Sequence, residues 1–509
     1  MFCSYMLLNV STLWPHVAVL WRSSAVTFVA FYFFLYAVSA ISFGVLLMSL
    51  KHYLLVAALA LLVVIVTTNH LAREMLDLKV VNEQSAEWLL SETGEAADAV
   101  RAFFAPFARN LAFSVASLVP AVCVARLARR RFRAQLRPVP LFLGALLAYG
   151  LTGVTVHRYF KPYIPIESNL VLYGAAFVLK PSPDVPPVDM KPVQPPEVAK
   201  IILVVDESVT YGAYVTQLRG KWARWNGVDF GEAASLGNCS GSSNSMLRWG
   251  FRATRMLAGE DPRLAPTVWS YAHGAGYETF LIDGQRGGSY QNFMRGKEAA
   301  LIDHRVGVSN GFDTDRRIAE LLHTLMLEPG KRFVYINKRG SHFPYTNGYP
   351  ADRFPNARTR EQQHAVAVRY STQGFLDTAL SNVPRGDILI LYTSDHGQRF
   401  SGGSPHCNPA PTWQESSVPL LMLTGNEPLA QRAAAAATLL KDRASHEQIF
   451  ATLLAAMGYD LRAAEAEYGS SLLSASVPQR YFHVRANPVP TDRRGITVDE
   501  FSHFPHRAR

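Results

Sequence analysis

Apolar residues crowd the first third of this chain and then break up into short runs. Val26 to Leu50 is almost unbroken apolar sequence, long enough to cross a bilayer as a helix. Tyr53 to Thr68 is shorter but strongly apolar, and Leu111 to Ala125 and Val139 to Val156 have the same character. Tyr5 to Trp21 is weaker, carries Pro15 and counts as a fifth span. The pattern predicts an α-helical membrane domain of about five helices over residues 1–157. The start lacks a basic n-region and further apolar spans follow closely, so it does not read as a cleaved signal peptide.

Beyond Val156 the pattern changes. Pro181, Pro183, Pro186, Pro187, Pro192, Pro195 and Pro196 make a helix or a central strand untenable, and the stretch 158–198 reads as an extended linker. Residues 199–509 then alternate between short aliphatic runs and helical or loop segments. The runs are Ile201–Val205, Thr279–Ile282, Phe333–Ile336, Ile388–Tyr392 and Leu420–Leu423. This alternation predicts an α/β domain with a largely parallel sheet, whose ligands bind beyond the carboxyl ends of the strands. Ala433 to Ala437 reads as plain helix.

Charge gives the orientation. Arg126, Arg129, Arg130, Arg131, Arg133 and Arg137 lie between the last two spans, which places that stretch in the cytoplasm. The preceding stretch, Asn69 to Arg109, is rich in acids and belongs outside, with everything after Val156. The net charge of +10 fits a protein beside anionic lipid. No nucleic-acid motif or single basic stripe is present, so nucleic acid is not an expected partner. Few charges lie inside the spans, which argues against a transporter. The four cysteines contain no CxxC pair, which argues against a structural zinc ribbon.

Four polar clusters fall where apolar runs end or a helix opens. Asp206-Glu207-Ser208 follows the first run. Two acids there are costly to bury without a cation, although acids also favour a helix start. Cys239-Ser240-Gly241-Ser242-Ser243 opens a helical stretch. Gly340-Ser341-His342-Phe343-Pro344 follows the third run. Ser394-Asp395-His396-Gly397 follows the fourth, where a carboxylate and an imidazole can face one cation if Gly397 permits a sharp turn. Oxygen and nitrogen donors together suit Zn2+ or Mn2+ better than Mg2+.

These motifs resemble the membrane-bound phosphoethanolamine transferases, whose sulfatase-like domain belongs to the alkaline phosphatase superfamily. The similarity rests on Val205-Asp206-Glu207-Ser208, Ser240, Gly340-Ser341-His342-Phe343-Pro344-Tyr345, Ser394-Asp395-His396-Gly397, His406 and Ser445-His446-Glu447-Gln448-Ile449-Phe450. The chain departs from the family's pattern in carrying Asp206 for a Gly, Gln398 for a Glu, and a Ser nucleophile for a Thr. The resemblance implies an inner-membrane, multi-pass enzyme with its catalytic domain in the periplasm. It would move phosphoethanolamine from phosphatidylethanolamine, through a covalent Ser intermediate, to lipid A or the lipopolysaccharide core. A phosphoglycerol transferase, a phosphodiesterase, a sulfatase and an inactive envelope-binding protein stay open as alternatives.

By the same resemblance Glu207, Ser240, Asp395 and His396 would hold the metal, with Asp206 as an extra ligand. One metal or two stays open. His342 and His406 would bind the phosphate or protonate the leaving alcohol, work that suits a near-neutral imidazole. Ser240 is favoured as nucleophile over Ser242. No C/S-x-P-x-R motif accompanies it, so a serine alkoxide is expected rather than an aldehyde hydrate. Asn244 and Lys297 are further phosphate contacts to consider, and Arg286 and Arg339 lie at strand ends. Cys239 adjoins Ser240 and Cys407 adjoins His406, so a bridge between them is an open expectation that an oxidising periplasm permits.

Overall fold

A computed structural model describes residues 2–22, 26–50, 52–76, 104–132, 138–160 and 184–501, the last range without 223–224, 226, 286–291, 293, 295, 309–310, 402–404, 409–410 and 486–496. The chain divides into two compact units, Met1–Lys180 and Pro181–Arg509. The acid-rich segment from Asp77 to Phe103, Arg133, Arg137, Arg286, Pro181 and Pro183 lie outside the described residues.

The first unit is helical. Val26–Ser49 contains no charged side chain, and the part Thr27–Ser49 has a mean hydropathy of 2.0. Among the described residues it is the one helix long and apolar enough by itself to cross a bilayer. Its 24 residues span about 36 Å at the α-helical rise. The stretches Tyr53–Thr67 and Phe142–Thr155 are shorter apolar segments, inside helices His52–Leu76 and Pro138–Phe160. The stretch expected as one span from Tyr5 to Trp21 is two helices, Phe2–Leu8 and Val10–Arg22. Helix Phe104–Phe132 runs on through Arg126 to Arg131, which therefore lie on helix rather than in a loop. Two hydroxyl pairs join helices inside this unit: Ser39 Oγ donates to Thr152 Oγ1 at 3.0 Å, and Thr67 Oγ1 donates to Ser114 Oγ at 3.0 Å.

The second unit is built on an eight-stranded sheet. Its strands are β1 (Lys200–Asp206), β2 (Val228–Ala234), β3 (Glu278–Asp283), β4 (His304–Gly307), β5 (Arg332–Asn337), β6 (Ile388–Ser394), β7 (Ser417–Thr424) and β8 (Ala444–Ser445). They lie in the order β4-β3-β5-β1-β6-β7-β2-β8. β7 alone runs against its neighbours β6 and β2; the other pairings are parallel. A separate hairpin pairs Tyr481–Arg485 with Thr497–Phe501.

Side chains alternate across a strand, and here both faces are covered. Ile201, Leu203 and Val205 of β1, with Phe333, Tyr335, Leu389 and Leu391, bury into one apolar cluster. Ile202 and Val204, with Val334, Ile336, Ile390 and Tyr392, bury into the other. β1 sits between β5 and β6 at the centre of the sheet. The clusters that follow these three strands therefore converge on one edge.

Candidate metal and phosphoryl-transfer site

The carboxyl ends of β1 and β6 are tied together by the residues that follow them. The Asp395 N–H donates to the Asp206 carbonyl at 2.9 Å. The Val209 N–H donates to Ser394 Oγ at 2.7 Å. Ser208 adopts a left-handed φ of 62° and its N–H donates to Asp395 Oδ1 at 3.0 Å. Gly397 was expected to supply the sharp turn, yet it is not in the left-handed region. It is glycine because a Cβ there would meet the Gln414 and Ser417 carbonyls. Gly340 does take a left-handed φ of 54°, and a Cβ on it would run into Asp206 and the Glu207 N–H. The segment before His342 thus presses directly on the end of β1.

Glu207, Asp395 and His396, all buried, bring one ligand atom each within 4.8 Å of one another. The rest of each side chain is held in place. Asp395 Oδ1 also accepts from the His396 N–H at 2.7 Å, whereas its buried Oδ2 accepts no hydrogen bond. His396 Nδ1 lies 2.9 Å from the Gly397 carbonyl. A carbonyl only accepts, so Nδ1 carries the hydrogen and Nε2 presents its lone pair. Glu207 accepts from Ser208 Oγ at 2.6 Å on Oε1 and from Gln285 Nε2 at 2.7 Å on Oε2. Burial and the neighbouring Glu207 carboxylate push the Asp395 carboxyl up to about 7. Two carboxylates and an imidazole lone pair, all buried, have no positive charge among them. The donor set O, O, N and the unengaged Oδ2 fit a bound cation of the zinc or manganese type.

Ser240 opens helix Ser240–Trp249 after an extended Cys239. Its hydroxyl lies 3.2 Å from Glu207 Oε2 and 3.3 Å from His396 Nε2. The neighbouring serines are engaged elsewhere. Ser242 Oγ donates to the Cys239 carbonyl at 3.1 Å, Ser245 Oγ to the Ser242 carbonyl at 2.9 Å, and Ser243 Oγ lies 3.5 Å from His446 Nδ1. The ring of His406 lies 4.4 Å from that of His396. Burial, with His396 and His342 close by, pushes His406 well below the ordinary histidine range. Cys239 and Cys407 form a disulfide, which staples the loop of His406 to the start of the Ser240 helix.

Asp206 does not join this cluster, contrary to its expected role as an extra metal ligand. Its Oδ2 is held by Lys338 Nζ at 2.6 Å, Thr372 Oγ1 at 2.7 Å and Tyr392 Oη at 2.8 Å. Its Oδ1 accepts from the Glu207 N–H at 2.9 Å. The cation Asp206 answers is a buried lysine. Asn244 is likewise committed: it donates to the Ser240 carbonyl at 3.1 Å and accepts from Tyr335 Oη at 2.7 Å. Lys297 pairs with Asp184. Arg339 is buried and donates to the Asn347 carbonyl at 2.7 Å. Gln285 and Lys338 also belong to this network; both follow aliphatic runs, but neither carries a motif that marks its role in the sequence.

The region from 221 to 459 matches the family model described as Sulfatase. No curated protein matches the chain. Among solved structures, the integral membrane protein lipooligosaccharide phosphoethanolamine transferase A from Neisseria meningitidis is 16% identical, with a TM-score of 0.56 over 90% of this chain and 94% of that one. The C-terminal periplasmic domain of EptC from Escherichia coli is 14% identical, with a TM-score of 0.49 over 63% of this chain and 98% of that one. The same domain in complex with Zn is 15% identical, with a TM-score of 0.48 over 62% of this chain and 96% of that one. The fold is therefore a helical N-terminal unit followed by an α/β sulfatase-like domain. The matched region is a sulfatase-family domain, and phosphoethanolamine transferases are among the chain's structural neighbours.

Proposed function

We propose that this chain is a metal-dependent phosphoethanolamine transferase of the bacterial inner membrane, with its catalytic domain in the periplasm. Residues 1–157 would form the multi-pass membrane domain, 158–198 the linker and 199–509 the catalytic domain. The observation that carries this reading is the Ser240 hydroxyl, 3.2 Å from Glu207 and 3.3 Å from His396 beside a carboxylate oxygen that accepts no hydrogen bond. Glu207, Asp395, His396 and Ser240 would hold Zn2+, with Mn2+ as the other ion the donors suit. A bound ion of this kind lowers the pKa of the serine hydroxyl and polarises the phosphoryl oxygen.

The chain's own residues account for the remaining work. Ser240 Oγ forms a bond to the phosphorus of phosphatidylethanolamine. The bond from phosphorus to the glycerol oxygen breaks, and His342 protonates that oxygen so that diacylglycerol leaves, while His406, which burial keeps neutral, binds the phosphoryl group. The first N–H groups of helix Ser240–Trp249 have no acceptor within the helix and can meet the phosphoryl oxygens. In the second half an oxygen of the acceptor attacks phosphorus, its proton returns to His342, and the bond from phosphorus to Oγ breaks to release Ser240. The acceptor is a glycolipid or glycan of the envelope, lipid A or lipopolysaccharide core. The two-step route explains a membrane anchor, because donor and acceptor both sit at the membrane surface.

Peptide mass mapping of the full-length, zinc-loaded protein after incubation with phosphatidylethanolamine tests the reading. A phosphoethanolamine adduct on Ser240, absent from Ser240→Ala, is the expected result. An adduct formed only from phosphatidylglycerol would make the protein a phosphoglycerol transferase. No adduct from any donor despite bound metal would overturn the transferase and leave a phosphodiesterase, a sulfatase or an inactive binding domain.

A further inference from the structure

The turn that carries His342 is anchored on two sides. It follows β5, and the His342 N–H closes it by donating to the Arg339 carbonyl at 3.3 Å. On one side Ser341 is fixed to the end of β1. Its N–H and its Oγ both donate to the Glu207 carbonyl, at 3.1 and 3.0 Å. On the other side stands Asp315, in the first turn of helix Thr314–Leu327. An acid at that place ordinarily answers the positive end of its own helix. Here the carboxylate also reaches across to the turn. Its Oδ1 accepts from the Arg339 N–H at 2.9 Å, and its Oδ2 accepts from the Gly340 N–H at 3.0 Å.

Asp315 is buried, as are Lys338 and Ser371 around it. Its Oδ2 also accepts from Ser371 Oγ and lies 3.5 Å from Lys338 Nζ. The same ammonium lies 2.6 Å from Asp206. One cation therefore sits between the acid that ends β1 and the acid that holds the turn. A carboxylate needed only to balance Lys338 would have no reason to meet two successive backbone N–H groups. Hydrogen bonds to a charged acceptor are about twice as strong as neutral ones, and two that converge on one anion fix the orientation of the backbone that bears them.

We propose that Asp315 is a positioning residue for the transfer. It fixes the turn at Arg339 and Gly340. In this way it sets the reach of His342 toward the glycerol oxygen, which takes the proton as its bond to phosphorus breaks. The assignment rests on the transferase reading and adds to it the group that aims the acid. A displacement of about 1 Å in such a group costs on the order of 100-fold in rate.

The test compares two donors on full-length, detergent-solubilised, zinc-loaded protein. Phosphatidylethanolamine has an alcohol to expel and needs the proton. p-Nitrophenyl phosphoethanolamine expels a stable phenolate and does not. Asp315→Asn should slow first-turnover release of diacylglycerol by at least about tenfold and release of p-nitrophenolate by less than about twofold, and His342→Ala should show the same split. Asp315→Glu keeps the charge beside Lys338 and displaces its oxygens by one methylene, so it should split the donors in the same direction. Ser371→Ala removes a bond to the same carboxylate but leaves both N–H contacts, and its ratio of the two rates should match wild type. Equal slowing of both donors by Asp315→Asn and Asp315→Glu would make Asp315 a structural residue and overturn the proposal. A second readout needs no turnover. Amide hydrogen exchange over residues 338–342, followed by mass, should speed up at least about tenfold in Asp315→Asn, the factor for one lost hydrogen bond. Unchanged exchange would also overturn the proposal. Faster exchange in a protein whose wild type releases neither alcohol would leave the anchoring in place and count against the transferase reading alone.

Discussion

Asp206 and Glu207 are adjacent acids with opposite surroundings. Successive residues of a strand point to opposite faces, so Asp206 continues the series Ile202 and Val204 into the cluster that holds Tyr392. There it meets Lys338, also fully buried, at 2.6 Å. Lys338→Met would leave Asp206 as an unpaired buried charge, and a loss of about 3–5 kcal/mol is expected. Asp206→Asn/Lys338→Met should recover much of that loss, and thermal unfolding of both variants checks it. A double variant no more stable than the single one would show that Lys338 acts through something other than Asp206. Glu207, Asp395 and His396 were legible because each is a polar letter directly after an aliphatic run. The partner of Asp206 was not, because Lys338 is 132 positions away and strand order decides which residues meet. Ser240 could be favoured over Ser242 by pattern alone, but only the start of the helix shows which hydroxyl faces the carboxylates.

At the scale of elements, five of the eight strands were visible as aliphatic runs. β2 was not, because Gly231 with a φ of 81° interrupts it, and its pairing with β7 shifts register between Asp229 and Gly231. β4 and β8 are too short and too polar to stand out. What locks these elements around the site is also non-local. His446 lies 2.8 Å from Thr393 Oγ1 at the end of β6 and 3.5 Å from Ser243 Oγ in the Ser240 helix. Burial pushes its pKa down to about 3, against 6.5 when exposed. Between those two values the unfolded chain binds a proton that the folded chain refuses. Stability must therefore fall as pH falls through that window, by on the order of 1 kcal/mol per pH unit from this group. The melting temperature of wild type should drop between pH 7 and pH 5 more than that of His446→Asn. Parallel curves for the two would remove His446 as the cause. The Cys239–Cys407 bridge closes a separation of 168 residues. Cys239→Ala/Cys407→Ala should cost about 2–4 kcal/mol and lower transfer activity more than Lys297→Ala does, because the bridge holds His406 against the Ser240 helix.

For the whole molecule the cluster at the sheet edge sets a stability that depends on a ligand. Glu207, Asp395 and His396 are buried together, and the buried Lys338 is already committed to Asp206. Without a cation the protein must either keep like charges close or hold a proton on Asp395, both of which cost free energy. Anything that binds only the folded state stabilises it by mass action, by about 3 kcal/mol at a free concentration one hundred times Kd. Chelation should therefore lower the melting temperature of the full-length protein, and added zinc should restore it. The variants separate the contributions. Ser240→Ala removes a hydroxyl at the rim, so it should abolish transfer yet keep most of the zinc-dependent gain. Asp395→Asn removes the carboxylate whose Oδ2 accepts no hydrogen bond, and it should lose that gain. In the absence of metal Asp395→Asn should melt higher than wild type, since it also removes a buried charge beside Glu207. That reversal of order between metal-free and zinc-loaded protein is specific to a cation site. A polar cluster that only cements the ends of β1 and β6 would be weakened by the same substitution in both states. Melting curves of wild type, Ser240→Ala and Asp395→Asn, each with chelator and with zinc, decide between the two.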